Sequence, residues 1–332
     1  MSTLTSSRIT ALAGGVGAAR FLRGVVRIVP GTDLSVIVNT GDDEEFFGLS
    51  VSPDLDTVTY TLANAVDPEK GWGLPQETHR CLAALERYYT DTWFGLGDAD
   101  LATHLFRTQE LRQGQTLSQV TAAIARKWGI EATVLPMSNE RVRTVVHTEA
   151  GALTFQEYFV KQRSEGQVSK VEFSGIETAQ AAPGVVNAIH GADLIILPPS
   201  NPIVSIGPIL SLPGVRQALR DTPAPVVAIS PLVAGKPIKG PADRMLAGLG
   251  IEVSSVGVAT LYQDFVDTFV LDWQDIEHDP APRERLEKMG LAVIVTDTVM
   301  NDMDKSVALA QTVIEFTHQK RPKAASSFPR RT

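Results

Sequence analysis

The sequence contains one cysteine, Cys81, so it can form neither an internal disulfide nor a cysteine-based zinc site. Its six histidines are scattered without a His-Glu-x-x-His pattern, which removes the usual signature of a catalytic zinc. No Gly-x-Ser-x-Gly elbow is present, which counts against a serine hydrolase. Acids outnumber bases, giving a formal net charge of −8, so there is no general electrostatic footprint for nucleic acid or an anionic membrane. No run approaches the ~20 apolar residues of a membrane span. The N-terminal MSTLTSSRITALAGG lacks the layout of a secretion signal, and the expectation is a cytoplasmic protein.

What is present is ordinary for a globular chain: 43% hydrophobic and 20% charged residues. Short β-type runs alternate with helical patterns, the order that builds a mostly parallel sheet covered on both faces. Ile9–Ala13 reads as a first strand ended by Gly14-Gly15, and Leu34–Val38 as a second ended by Asn39-Thr40-Gly41. Between them Leu22, Val25, Val26 and Val29 recur at helical spacing, completing a βαβ unit. Further strands are expected near 132–135, 142–147, 153–155, 192–197, 226–229 and 292–295, and a last amphipathic helix over 304–318. The predicted fold class is α/β, Rossmann-like, as a single unit over 1–318 with a helical insertion at about 58–128. Within the insertion, Thr116-Leu117-Ser118-Gln119 opens a helix that Gly129 ends. The basic segment 319–332 reads as a disordered tail.

Ligands of doubly wound sheets bind beyond the carboxyl ends of the strands, which directs attention to four loops. Gly14-Gly15-Val16-Gly17 lets backbone N–H groups approach a phosphate at a helix N-terminus, but it is neither a Walker sequence nor a full dinucleotide fingerprint. Asn39-Thr40-Gly41-Asp42-Asp43 and Pro53-Asp54-Leu55-Asp56 place four aspartates within fifteen positions. Gathered carboxylates need a cation or a proton, and Mg²⁺ suits hard oxygen ligands. The alternative makes Asp54 or Asp56 a helix cap and Asp42 and Asp43 solvated loop acids. Ser200 and Asn201 follow a strongly apolar strand, and Lys236 and Lys239 follow another, placed to meet phosphate oxygens. In the insertion, Trp93 and Phe94 either stack on a planar ligand or pack in the core, with Asp98 or Asp100 at its polar edge. Asp100, His104 and Arg107 share one helical face, as a surface ion-pair ladder also would.

In order, these loops resemble the 2-phospho-L-lactate transferase family (CofD, called FbiA in mycobacteria) of coenzyme F-420 biosynthesis. The resemblance rests on AGGVGAARFL at 13–22, NTGDD at 39–43, SPDLDT at 52–57, GWG at 71–73 and LGDADLATHLFRT at 96–108. It continues through FQEYFV at 155–160, PPSNPIVSIGPIL at 198–210 and ISPLVAGKPIKGPA at 229–242. It implies a Mg²⁺-dependent homodimer that transfers a phospho-carboxylate unit from a diphosphoguanosine donor to the deazaflavin alcohol Fo, releasing GMP. On this likeness Gly14, Gly15 and Gly17 lie near the donor phosphates, and Ser200 and Asn201 near the nucleotide. Asp42, Asp43, Asp54 and Asp56 serve the metal and the attacking hydroxyl, with Asp56 and Asp43 as catalytic groups. Asn39, Asp54 and Lys239 count among the substrate contacts. Gly97, Asp98, Ala99 and Asp100 would contact the deazaflavin, although relatives with GDRD carry an arginine at the position of Ala99. A competing resemblance is to nucleotide-sugar-binding regulators of the YvcK type. Against it, Glu44-Glu45-Phe46-Phe47 follows the paired aspartates in place of a glycine- and serine-rich stretch. An NAD(P)-dependent oxidoreductase has only the βαβ unit in its favour.

Overall fold

The computed structural model describes residues 7–320, so residues 321–332, most of the expected basic tail, lie outside the described residues. Seven strands form the central sheet: β1 (Ile9–Ala13), β2 (Leu34–Val38), β3 (Thr133–Pro136), β4 (Leu194–Leu197), β5 (Val226–Ile229), β6 (Thr268–Asp272) and β7 (Ala292–Thr296). Their order is β7-β6-β5-β4-β1-β2-β3 and every pairing is parallel. This is the expected α/β Rossmann-like fold.

The strands are near-continuous apolar runs because both faces of the sheet are covered. Successive side chains alternate between faces: Ile9, Ala11 and Ala13 enter one apolar cluster, and Leu12 the other. Helix α1 (Gly15–Val25) runs back from the carboxyl end of β1 and buries Phe21, Leu22 and Val25 in the first cluster. The C-terminal helix Met303–Lys320 packs on the same side through Leu309, Val313 and Ile314.

The connection from β2 to β3 holds most of the extra structure. It contains an antiparallel hairpin (Glu44–Phe46 with Leu49–Val51), then α2 (Pro53–Leu62), a short helix at Arg80–Leu85, α3 (Asp100–Arg112) and α4 (Leu117–Lys127). Helix α4 opens where expected, and it does so with a reciprocal pair: Thr116 Oγ1 accepts from Gln119 N–H, and Gln119 Oε1 accepts from Thr116 N–H. Gly129 follows it with φ +69°. A second sheet of three antiparallel strands combines Arg143–Thr148 with Gly151–Thr154 and Val168–Ser174. The strands β6 and Val168–Ser174 and the Glu44–Val51 hairpin have no counterpart in the sequence-based expectation.

Candidate active site

Strand order reverses between β1 and β4, and the loops leaving these neighbours form the crevice where such sheets bind ligands. The glycine turn after β1 is packed hard against the loop after β4. A Cβ on Gly17 would lie 2.1 Å from Pro199 O, and one on Gly14 would lie 2.6 Å from Ser205 Cβ. Gly15 has φ +72°, in the region that favours glycine. Its N–H, at the start of α1, donates to Asp54 Oδ1 at 2.8 Å. On the β4 side, Asn201 Oδ1 accepts from Ile203 N–H and Val204 N–H and so fixes the next turn. Ser200 Oγ is buried and makes no hydrogen bond.

Asn39, fully buried at the end of β2, organises the first group of acids. Its Nδ2 donates to Asp54 Oδ2 at 2.9 Å and to Asp42 Oδ2 at 3.2 Å, while its Oδ1 accepts from Gly41 N–H at 2.9 Å. Asp43 Oδ2 accepts from Ser52 Oγ at 2.7 Å. Burial pushes Asp54 up to about 6. Burial raises Asp42 well above the usual carboxylate range, and the neighbouring Asp54 charge adds to the effect. Asp43 is raised in the same way, chiefly by burial. Asp42 Oδ1 and Asp43 Oδ1 are buried and accept no hydrogen bond.

These facts correct the capping and solvated-loop alternatives. The residue preceding α2 is Ser52, which makes no side-chain cap, while Asp54 and Asp56 lie inside the first turn and point to tertiary partners. Asp42 is buried, and Asp43 is half-buried with its carboxylate bonded to Ser52.

Asp56 belongs to a second group. Both terminal nitrogens of Arg107, on α3, donate to its carboxylate, Nη1 to Oδ2 at 3.1 Å and Nη2 to Oδ1. His104 stands between two acids, with Nδ1 3.6 Å from Asp56 Oδ2 and Nε2 3.4 Å from Asp100 Oδ2. Tyr60 Oη donates to Asp100 and lies 2.7 Å from Thr103 Oγ1. Burial works against the charge of Asp100, but bonds from His104 and Tyr60 outweigh it and hold the carboxyl below its usual range. Burial likewise opposes the charge of Arg107, and Asp56 more than restores it. Arg107 is only 2% exposed and His104 1%, so the face shared with Asp100 is an interior network and not a surface ladder. Among the described residues, Asp56, Asp100 and His104 are the one set of three such side chains whose donor atoms all lie within 4.8 Å of one another. The four aspartates of residues 42–56 therefore divide: Asp42 and Asp54 meet through Asn39, Asp43 is tied to Ser52, and Asp56 faces a fixed cation.

Both groups open on one cavity of about 610 Å³. It brings together Gly14, Gly15 and Gly17 with Ser200 and Asn201, and Asp42, Asp54 and Asp56 with Asp100 and Lys239. Asn39 and Asp43 stand behind its wall. Three residues of the 97–100 segment do not line it either. Asp98 accepts from Arg80 N–H and Cys81 N–H, Ala99 N–H donates to Glu77, and a Cβ on Gly97 would strike the Glu77 side chain at 2.1 Å. Lys236 is exposed and away from the lining. The cavity also includes residues for which no role was legible in the sequence: Arg20, Tyr60, Trp72, Phe159 and Met300. Tyr60 was findable, since it follows Asp56 by one helical turn. Phe94 lines the cavity and stacks on Phe46 at 4.0 Å with 11° between the ring planes.

The family model described as 2-phospho-L-lactate transferase CofD matches residues 9–313. A protein of Kitasatospora aureofaciens named phosphoenolpyruvate transferase is 44% identical over 321 residues, spanning 95% of this chain and 99% of that one. Another of the same name from Mycolicibacterium smegmatis is 44% identical over 307 residues, 87% of this chain and 94% of its own. Among solved structures, the BH3568 protein of Bacillus halodurans aligns with a TM-score of 0.63 over 93% of this chain and 99% of that one. At 16% identity, that likeness shows the fold alone. No helix among the described residues is long and apolar enough to cross a membrane. With a family match from end to end of the sheet and relatives above 40% identity, the chain belongs to the 2-phospho-L-lactate transferase CofD family and is a transferase.

Proposed function

We propose that the protein transfers a phosphoenolpyruvyl unit from a diphosphoguanosine donor to the terminal ribityl hydroxyl of the deazaflavin Fo, in coenzyme F-420 biosynthesis. The observation that carries this reading is one cavity at the strand-order reversal of a CofD-family chain, holding the glycine turn, Asp42, Asp54 and Asp56, and a ring-lined wall. The choice of the enolpyruvyl unit over 2-phospholactyl or 3-phosphoglyceryl follows the name that the relatives bear.

In this reaction the hydroxyl oxygen of Fo forms a bond to the phosphorus that bears the enolpyruvyl group. The bond from that phosphorus to the bridging oxygen breaks, and GMP leaves with the electron pair. The hydroxyl proton passes to a carboxylate of the cavity. Asp56 suits that role better than Asp43, because Asp56 lines the cavity and Arg107 fixes its orientation, whereas Asp43 is tied to Ser52 behind the wall. The N-terminus of α1 and the buried Ser200 hydroxyl favour phosphate oxygens nearby. Phe94, Trp72 and Phe159 give the deazaflavin ring apolar faces.

The donor set fits Mg²⁺. Asp42 and Asp54, joined through Asn39, offer hard oxygens at the cavity, and Asp42 Oδ1 is buried without a hydrogen bond. These two residues would hold the ion, which when bound supplies charge neutralisation for the donor phosphates. Asp56 has its own cation in Arg107. The same reading includes a homodimer, which light scattering on the purified protein tests.

The decisive assay combines the protein with Mg²⁺, Fo and each of the three donors and follows products by mass spectrometry. A deazaflavin phosphodiester together with GMP is expected, fastest from the enolpyruvyl donor. Absence of both products with every donor sinks the reading, and tight binding of UDP-sugars without turnover of Fo would favour the regulator instead.

A further inference from the structure

Among the described residues, two cations, Arg20 and Lys239, line the cavity with no carboxylate in ion-pair contact. Arg20, half-buried on α1, donates from Nη1 to Met300 O at 3.4 Å. Lys239, in the loop after β5, donates from Nζ to Lys70 O at 2.7 Å. Gly71 closes over Arg20, since a Cβ there would lie 3.5 Å from Nε and 3.7 Å from Nη2. Segments far apart in sequence, near 70, 239 and 300, thus converge to hold two positive groups by backbone carbonyls.

Carbonyl bonds orient a cation but do not neutralise it. Burial, with the Arg20 charge second, lowers the Lys239 ammonium below its usual range. Burial, with Arg23 second, does the same to Arg20. Both shifts come chiefly from burial, and Lys239 also feels the charge of Arg20 across the cavity wall. A fold that holds like charges together at a cavity wall is complementary to an anion that completes them.

We propose that Arg20 and Lys239 form an oxyanion subsite for a carboxylate or phosphate group of the donor, apart from the aspartate cluster and its metal. The identity of that ligand rests on the transferase reading above. In the simplest opposing case Arg20 only ties α1 to the loop at Met300, and its loss lowers stability but not affinity.

The test measures binding of GDP and of phosphoenolpyruvyl-diphosphoguanosine by calorimetry, with Mg²⁺, to wild type, Arg20→Gln, Lys239→Gln and Lys239→Arg. Donor affinity is expected to fall about tenfold or more in each Gln variant and to be largely kept in Lys239→Arg. Loss for GDP and donor alike assigns the pair to phosphate; loss for the donor alone assigns it to carboxylate. Unchanged affinity for both ligands in folded Gln variants overturns the subsite. Should wild type bind neither nucleotide, the transferase reading fails separately. Inorganic pyrophosphate then decides: binding to wild type that is lost in Lys239→Gln supports the subsite, and no binding to wild type overturns it.

Discussion

Arg107 and Asp56 are 51 residues apart in sequence and meet through two nitrogens and two oxygens in the protein interior. Removing one member of such a pair leaves an uncompensated buried charge, at a cost of about 3–5 kcal/mol. Arg107→Met should therefore lower stability by that order in urea unfolding. Asp56→Asn should destabilise too, and should lower kcat by roughly 10²-fold or more if Asp56 takes the proton. The double variant Asp56→Asn, Arg107→Gln separates the two effects: stability recovers in part and turnover does not. Recovery of turnover in the double variant would return Asp56 to a structural role.

Acid should stabilise the metal-free protein. Burial raises Asp54 from 3.8 to about 6, and Asp42 and Asp43 shift the same way. Between these values the folded state binds more protons than the unfolded chain, so stability falls as pH rises from about 4 through 6, by about 3 kcal/mol for Asp54. In EDTA, Tm should be higher at pH 5 than at pH 7.5, and Asp54→Asn should flatten the difference. Added Mg²⁺ should raise Tm at pH 7.5, because a ligand of the folded state stabilises it. Equal pH profiles for wild type and Asp54→Asn would contradict the burial argument.

Gly17→Ala sets a methyl against a backbone oxygen, with 2.1 Å between Cβ and Pro199 O. Overpacking of this kind costs about 1–3 kcal/mol. Since the obstacle is main chain, the loop after β4 must shift, and donor affinity should fall with stability. Calorimetry showing normal donor affinity would mean that the two loops can part without consequence.

Thr116→Ala provides the contrast. It removes a cap on α4 remote from the cavity and should cost about 1 kcal/mol of stability while leaving turnover at the wild-type level. A change in KM for Fo would show that α4 reaches the site mechanically.

Much of the fold was legible because buried parallel strands announce themselves as apolar runs, as at Leu194–Leu197 and Val226–Ile229. Strand β6 did not, since Phe269-Val270-Leu271 is short and stands between Asp267 and Asp272. Asp272 is fully buried there because Thr298 N–H and Oγ1 both donate to Oδ2. No local pattern reports a partner 26 residues away. The same limit governs the site. Loop position picked out Asp42, Asp54 and Asp56, and helical spacing put Asp100, His104 and Arg107 on one face. That this face closes over Asp56 is tertiary. Asp98 looked like a ligand contact from composition, yet its oxygens hold the start of the Arg80–Leu85 helix.

The connection between β2 and β3 supplies Asp54, Asp56, Tyr60, Phe94, Asp100 and His104, whereas the glycine turn, Ser200 and Lys239 come from the loops of the parallel sheet. Much of the cavity is thus encoded in one stretch of chain, tied to the glycine turn through Asp54 and Gly15 N–H. On the transferase reading, changes confined to 72–107 would reach Trp72, Phe94, Asp100 and His104 while the sheet, the glycine turn and Asp54 stay untouched. If that stretch binds the acceptor, exchanging it between relatives should move acceptor choice from one member to another.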